Sequence, residues 1–304
     1  MFITNWGVSV ILYLIFAVMF NQGYKIVTKS MTNAGALTVL MEGMAGVFCL
    51  LLIPLFEIKF PTNPYVYLFL GLACIFYALN DRIATDVRKG LEASAYSIIK
   101  QISTVFMIIA GLIFFKEKFI LTKIIGALLI IISNILVFYK KGSLKNNKYV
   151  WLGLLASLFN TIALIIDVNY SKQFNLPLYA GFTLIVPALL ILIFERIKIK
   201  DITNEFKNVN KKLIAITGLS WALTMVLKLR AYQLGKVIIV APLCSLTAIL
   251  NVIVGYFLLR EKDNLVNQIM STVELLNLDH TNKQADVFVK QDMKYAIYNK
   301  LKDM

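Results

Sequence analysis

The chain has 304 residues, of which 59% are hydrophobic and 16% charged, with a net charge of +14 and a mean hydropathy of +0.74. Soluble domains usually carry about a quarter charged residues, so this composition argues against one. The charges stand in short clusters between long apolar runs, where Lys and Arg flank spans as the positive-inside rule requires, so no nucleic-acid partner is expected. In lipid each span must satisfy its own backbone. The expected fold class is therefore an all-α integral membrane protein, a polytopic helix bundle in the plasma or inner membrane.

In chain order, the N-terminus has no basic n-region and no small-residue cleavage site, and reads as a retained first span. Span one covers Trp6 to Phe20, followed by Asn21, Gln22 and Tyr24. Span two covers Ala34 to Phe56, with Glu42 embedded in it. Pro61 and Pro64 break the chain before a short third span, Tyr65 to Leu79, which ends in Asn80-Asp81-Arg82. From Glu92 to Tyr139 two apolar segments meet at the charged corner Lys116-Glu117-Lys118-Phe119, which predicts a hairpin of spans four and five. Lys140 to Lys148 is a basic, polar, glycine-containing linker.

Span six covers Tyr149 to Ile166, with Asn160 inside and Asp167 at its end. Span seven, Leu178 to Phe194, contains Pro187, and the basic loop Glu195 to Lys212 leads to span eight, Leu213 to Leu227. Span nine is Val237 to Leu259, with Pro242 in its first third. Beyond Lys262 the apolar run ends, and Glu274, Asp279 and His280 fall where lipid should be. Those three groups would cost about 6–10 kcal/mol at the bilayer centre, so a tenth span is not expected. The spacing of Leu265, Ile269, Val273 and Leu276 predicts amphipathic helices on the cytoplasmic membrane face instead. The abrupt change near residue 264 also fits a join to foreign sequence, such as a shifted reading frame, which would leave transport weak.

The chain reads as two copies of one unit. Gly255-Tyr-Phe-Leu-Leu-Arg-Glu-Lys262 lies over Gly111-Leu-Ile-Phe-Phe-Lys-Glu-Lys118 at an offset of 144 residues. Asn21-x-x-Tyr24 lies over Asp167-x-x-Tyr170 at an offset of 146. With Gly126, Glu117 and Glu261, this pattern resembles the drug/metabolite transporter superfamily, specifically its EamA-type permeases. The resemblance covers residues 6–263. It implies two five-helix repeats of inverted topology, ten spans in the family and about nine here. It also implies a central cavity lined mostly by the third, fourth, eighth and ninth spans, and movement of small metabolites, amino acids or drugs by alternating access, often as export. The domains are then residues 1–141 and 149–263 as membrane repeats, 142–148 as linker, and 264–304 as a polar tail atypical of the family.

A charge inside a span costs about 2.5–3.5 kcal/mol on insertion scales, which makes it a functional candidate. Lys100 is the first. Ser97, Lys100, Thr104 and Met107 share one helical stripe, which should face a cavity unless the lysine snorkels to the headgroups. At the 144-residue offset Lys100 matches Cys244 and Gln101 matches Ser245, so span nine offers Ser245 and Asn251 on a comparable stripe. Glu42 is either a protonatable coupling residue or the counter-charge of Lys100. Tyr77 and Trp221 are cavity aromatics or core. Asp81, Arg82 and Asp86, like Lys228 and Arg230, read as interface anchors at span ends. A hairpin glutamate beside lysines, Glu117 or Glu261, reads as fixing its loop.

Cys49, Cys74 and Cys244 lie in apolar runs without metal or disulfide spacing, and His280 has no partner motif, so no cofactor or metal is expected. No phosphate-cradling loop or HExxH appears, and the short lysine-rich loops lack the carboxylates and histidines of a membrane-embedded enzyme. A non-transporting assembly protein, the remaining rival, would need no polar stripe in spans four and nine. The expected partners are a small-molecule substrate, the bilayer and, as a candidate coupling ion, protons; a homodimer is compatible. Loops after odd-numbered spans hold 17 Lys and Arg against 8 in the others, which puts the odd loops in the cytoplasm.

Overall fold

A computed structural model describes residues 5–91, 96, 99–116 and 148–259. Within them the chain forms ten α-helices and no strand. They are α1 (Trp6–Lys29), α2 (Ala34–Leu51), α3 (Pro64–Gly90), α4 (Ile102–Ile113), α5 (Lys148–Tyr170), α6 (Leu176–Phe194), α7 (Ile199–Asn208), α8 (Lys211–Leu234), α9 (Val237–Ser245) and α10 (Thr247–Leu259). Seven stretches are long and apolar enough to cross a membrane: α1, Ala34–Leu55, α3, Lys148–Gln173, α6, α8 and Val237–Gly255. The second half of the span-four-to-five hairpin, the linker, Glu117, Gly126, Glu261 and the tail lie outside the described residues.

Asparagine starts the long helices. Asn5, Asn33, Asn63, Asn175 and Asn210 each accept a first-turn backbone N–H and cap α1, α2, α3, α6 and α8. A side-chain oxygen there satisfies a donor that has no partner inside the helix, and a missing cap costs about 1 kcal/mol.

Several boundaries differ from the hydropathy reading. Span three continues through Gly90 instead of stopping at Leu79. Asn80, Asp81, Thr85 and Arg88 of this stretch are buried, and Thr85 finds partners on the bundle: its Oγ1 lies 3.0 Å from Tyr24 Oη and accepts from Thr38 Oγ1 at 2.7 Å. Span eight likewise runs past Lys228 and Arg230 to Leu234. Span nine breaks into α9 and α10 at Leu246, where Ser245 Oγ and Thr247 Oγ1 turn back onto the carbonyls of Pro242 and Cys244, each at 2.6 Å. The loop after α6 contains the short amphipathic α7.

The packing has an exchange symmetry. α1 lies along α8 as α5 lies along α3; α2 touches α8 as α6 touches α3; α1 meets α10 as α5 meets α4. Counterparts also meet directly: α2 packs on α6, and span four, through α4, packs on span nine, through α9. The α2–α6 crossing is close because Gly46 has no side chain: a Cβ there would overlap Ile185. Small residues drive helix association in lipid by this close approach.

Candidate functional site

The central cavity follows from these crossings. It has a volume of about 100 Å³ and takes walls from α1, α3, α4, α5, α8, α9 and α10. On α3, Tyr77, Asp81 and Arg88 recur at spacings of four and seven, and on α8 Trp221, Lys228 and Tyr232 do the same, so one face of each helix lines the space. Lys100, Gln101, Thr104 and Met107 enter from the start of α4, and Ser245 and Asn251 from the broken ninth span.

Most of the residues expected at the site therefore come together. Lys100, Gln101 and Thr104 line the cavity, as do Tyr77, Trp221, Ser245 and Asn251. Gln101 and Ser245, counterparts in the two copies, touch each other: Gln101 Nε2 donates to the Ser245 carbonyl at 3.2 Å. Ser97 lies outside the described residues. Glu42 does not line the cavity and does not pair with Lys100. It is wholly buried in α2, with its carboxyl group against that of Asp81. The counter-charge reading of Glu42 is thus overturned, because α3 runs on far enough to bring Asp81 to it first.

Two aromatic candidates have distinct surroundings. Tyr77 Oη donates to Asp167 Oδ2 at 2.5 Å, and Tyr179 donates to Oδ1 of the same carboxylate at 2.8 Å. Asp167, fully buried, is thereby held between α3 and α6. Trp221 stacks on Phe20 with ring centroids 4.8 Å apart and closes the cavity against α1. Gln22 reaches across to α10, donating to the Asn251 carbonyl at 2.9 Å.

Asp81 and Lys228, read from the sequence as interface anchors, line the cavity instead, and so does Arg88, which the sequence reading gave no role. Arg88 is the most informative. Its guanidinium carbon sits 4.6 Å from the ring centroid of Tyr24, 4.9 Å from Tyr96 and 5.1 Å from Phe20. The side chain is 3% exposed, yet Nε and Nη1 have no hydrogen-bond partner among the described residues. Three rings thus surround the cation while two of its donors stay unused, and a carboxylate or phosphate is the group such donors bind best. No ion pair involves Arg88, Lys100 or Lys228 among the described residues, where the ion pairs are Lys59–Glu57, Arg82–Asp86 and Arg82–Glu195. The four- and seven-residue spacing from Tyr77 was the sequence signal for Arg88, hidden by its polar neighbours.

The wall thus carries three cationic side chains against the single carboxylate of Asp81. No group of three or more metal-ligating side chains occurs among the described residues.

A polytopic bundle with a charged central cavity is the form of a membrane transporter. Residues 7–139 match the EamA-like transporter family. No curated protein matches the chain.

Proposed function

We propose that this protein is a secondary transporter that carries a small organic solute bearing a carboxylate or another anionic group through the central cavity by alternating access. The observation that carries the reading is Arg88, buried with Nε and Nη1 unpartnered among the described residues, with Lys100 and Lys228 on the same wall. An amino-acid-like compound suits this wall, its carboxylate on the cations and its ammonium on Asp81. The exchange symmetry of the helix packing supports two repeats that rock about a fixed site, the usual architecture of alternating access. Export is the direction expected from the resemblance to the family.

The test is a panel of radiolabelled metabolites in proteoliposomes, with and without an imposed proton gradient, scored for direction. Carboxylated or phosphorylated solutes should be transported, and Arg88→Gln should lower their transport about tenfold or more, as loss of a charge-assisted pair requires. Transport of cationic compounds alone would refute the anionic reading.

A further inference from the structure

We infer that Glu42 and Asp81 together form a proton-binding site in the wall of the cavity, one proton being held between the two carboxyl groups. Its consequence, proton-coupled transport, rests on the transport reading above; the site itself does not.

Glu42 is 0% exposed, and neither of its carboxyl oxygens has a hydrogen-bond partner among the described residues. The group beside it is the Asp81 carboxyl, at hydrogen-bonding range. Asn80, also buried, donates from Nδ2 to Asp81 Oδ1 at 2.6 Å while its own Oδ1 is unpartnered. Two ionised carboxylates in contact repel, and an unpaired buried charge is costly. A single proton removes both penalties, because one carboxyl then donates to the other.

The surroundings make the two members unequal. Tyr24 faces the pair from α1; Cys74, Tyr77 and Arg88 face it from α3; Tyr96 and Lys100 face it from the segment before α4. From α5 Asp167 looks towards it past Tyr77, with Tyr179 of α6 binding the far oxygen, and Lys228 of α8 stands beyond Lys100. Asp81 lines the cavity, whereas Glu42 is wholly buried and is not part of its lining. Glu42 is thus the member that keeps the proton, and Asp81, on the cavity wall, is the member that exchanges it with water: carboxylate and hydronium give carboxylic acid and water.

Substrate binding is linked to this exchange. A solute anion that engages Arg88 and Lys100 draws away the cations that favour ionised Asp81, so the pair gains a proton. By reciprocity, a protonated pair favours the anion.

The experiment is a pH titration of the purified full-length protein in nanodiscs, followed by infrared difference spectroscopy. The wild-type protein should show a carboxylic-acid C=O band at neutral pH. Glu42→Gln should abolish it. Asp81→Asn should shift the band, because the acid then meets a neutral amide instead of a carboxylate, and a band unmoved by it would leave Glu42 a lone acid and overturn the pair; Glu57→Gln, which changes an exposed loop carboxylate, should leave the spectrum as it is. No carboxylic-acid band in the wild-type protein at neutral pH, a band untouched by Glu42→Gln, or a band displaced by sodium would each overturn the site. The wild-type titration needs no variant to fold. A metabolite panel that finds no transported solute would refute the transport reading and leave this result standing.

Discussion

At the scale of single residues, Lys100 was readable because its charge interrupts a run of Ile, Phe and Ala, while Arg88 was not. Arg88 lies in Asn80-Asp-Arg-Ile-Ala-Thr-Asp-Val-Arg88, a stretch polar enough to look like a loop. It continues a helix because tertiary partners satisfy its polar groups, and hydropathy averaged along one segment does not register partners on another. Glu42 was found but mispaired, since its true neighbour depends on where α3 stops. Two substitutions separate the roles on this wall. Lys100→Ala should abolish transport in proteoliposomes while the protein still inserts and elutes as a folded species; unchanged transport would make it a snorkelling lysine. Arg88→Lys keeps the charge but loses the planar guanidinium among three rings and its fixed N–H donors. It should therefore impair transport of an anionic solute almost as much as Arg88→Gln; full activity would show that charge alone suffices.

At the scale of elements, the starts of the helices were better marked than their ends. Asparagine before an apolar run is a local signal, and it coincides with the observed caps on α1, α2, α3, α6 and α8. Helix α7, hidden in a basic loop, has a long-range role that no local pattern discloses. Its Glu205 is fully buried and takes the backbone N–H of Thr32 at 2.9 Å and of Asn33 at 2.6 Å, along with the Thr32 hydroxyl. One carboxylate thus completes the N-terminal cap of α2 from a distant loop. Glu205→Ala should destabilise the protein by about 1–3 kcal/mol, the range for orphaned buried donors, read as an earlier thermal transition in detergent. Glu205→Gln, which keeps an acceptor oxygen, should lose less; equal losses would mean that the carbonyl alone is insufficient.

At the scale of the whole molecule, the two ends of the bundle differ in charge. One end gathers the α1–α2 turn, the end of α3 and α7, tied together by Glu205 and by Lys25, whose Nζ donates to the Arg88 carbonyl at 2.6 Å. The opposite end joins the 53–59 segment to Asn175, whose Nδ2 donates to the carbonyls of Ile53, Phe56 and Glu57 at 3.3, 3.2 and 3.0 Å. The first end holds most of the described lysines and arginines, so it should face the cytoplasm. Cys49, Cys74 and Cys244 are all buried, which leaves the native protein silent to an impermeant thiol reagent. A cysteine at Asn63 should react from outside intact cells and one at Lys200 should not; the reverse would invert the topology.

The meeting of Gln101 with Ser245 has a further consequence. These are the same place in the two copies, so in a dimer of separate half-length chains that residue would face its own twin. Next door, such a dimer would carry two lysines or two cysteines, with no third choice. Joining both copies in one polypeptide removes this self-recognition constraint, and the chain uses the freedom: Lys100 on one side of the axis, Cys244 on the other. The cavity's lopsided charge is a property that two identical half-length chains could not produce.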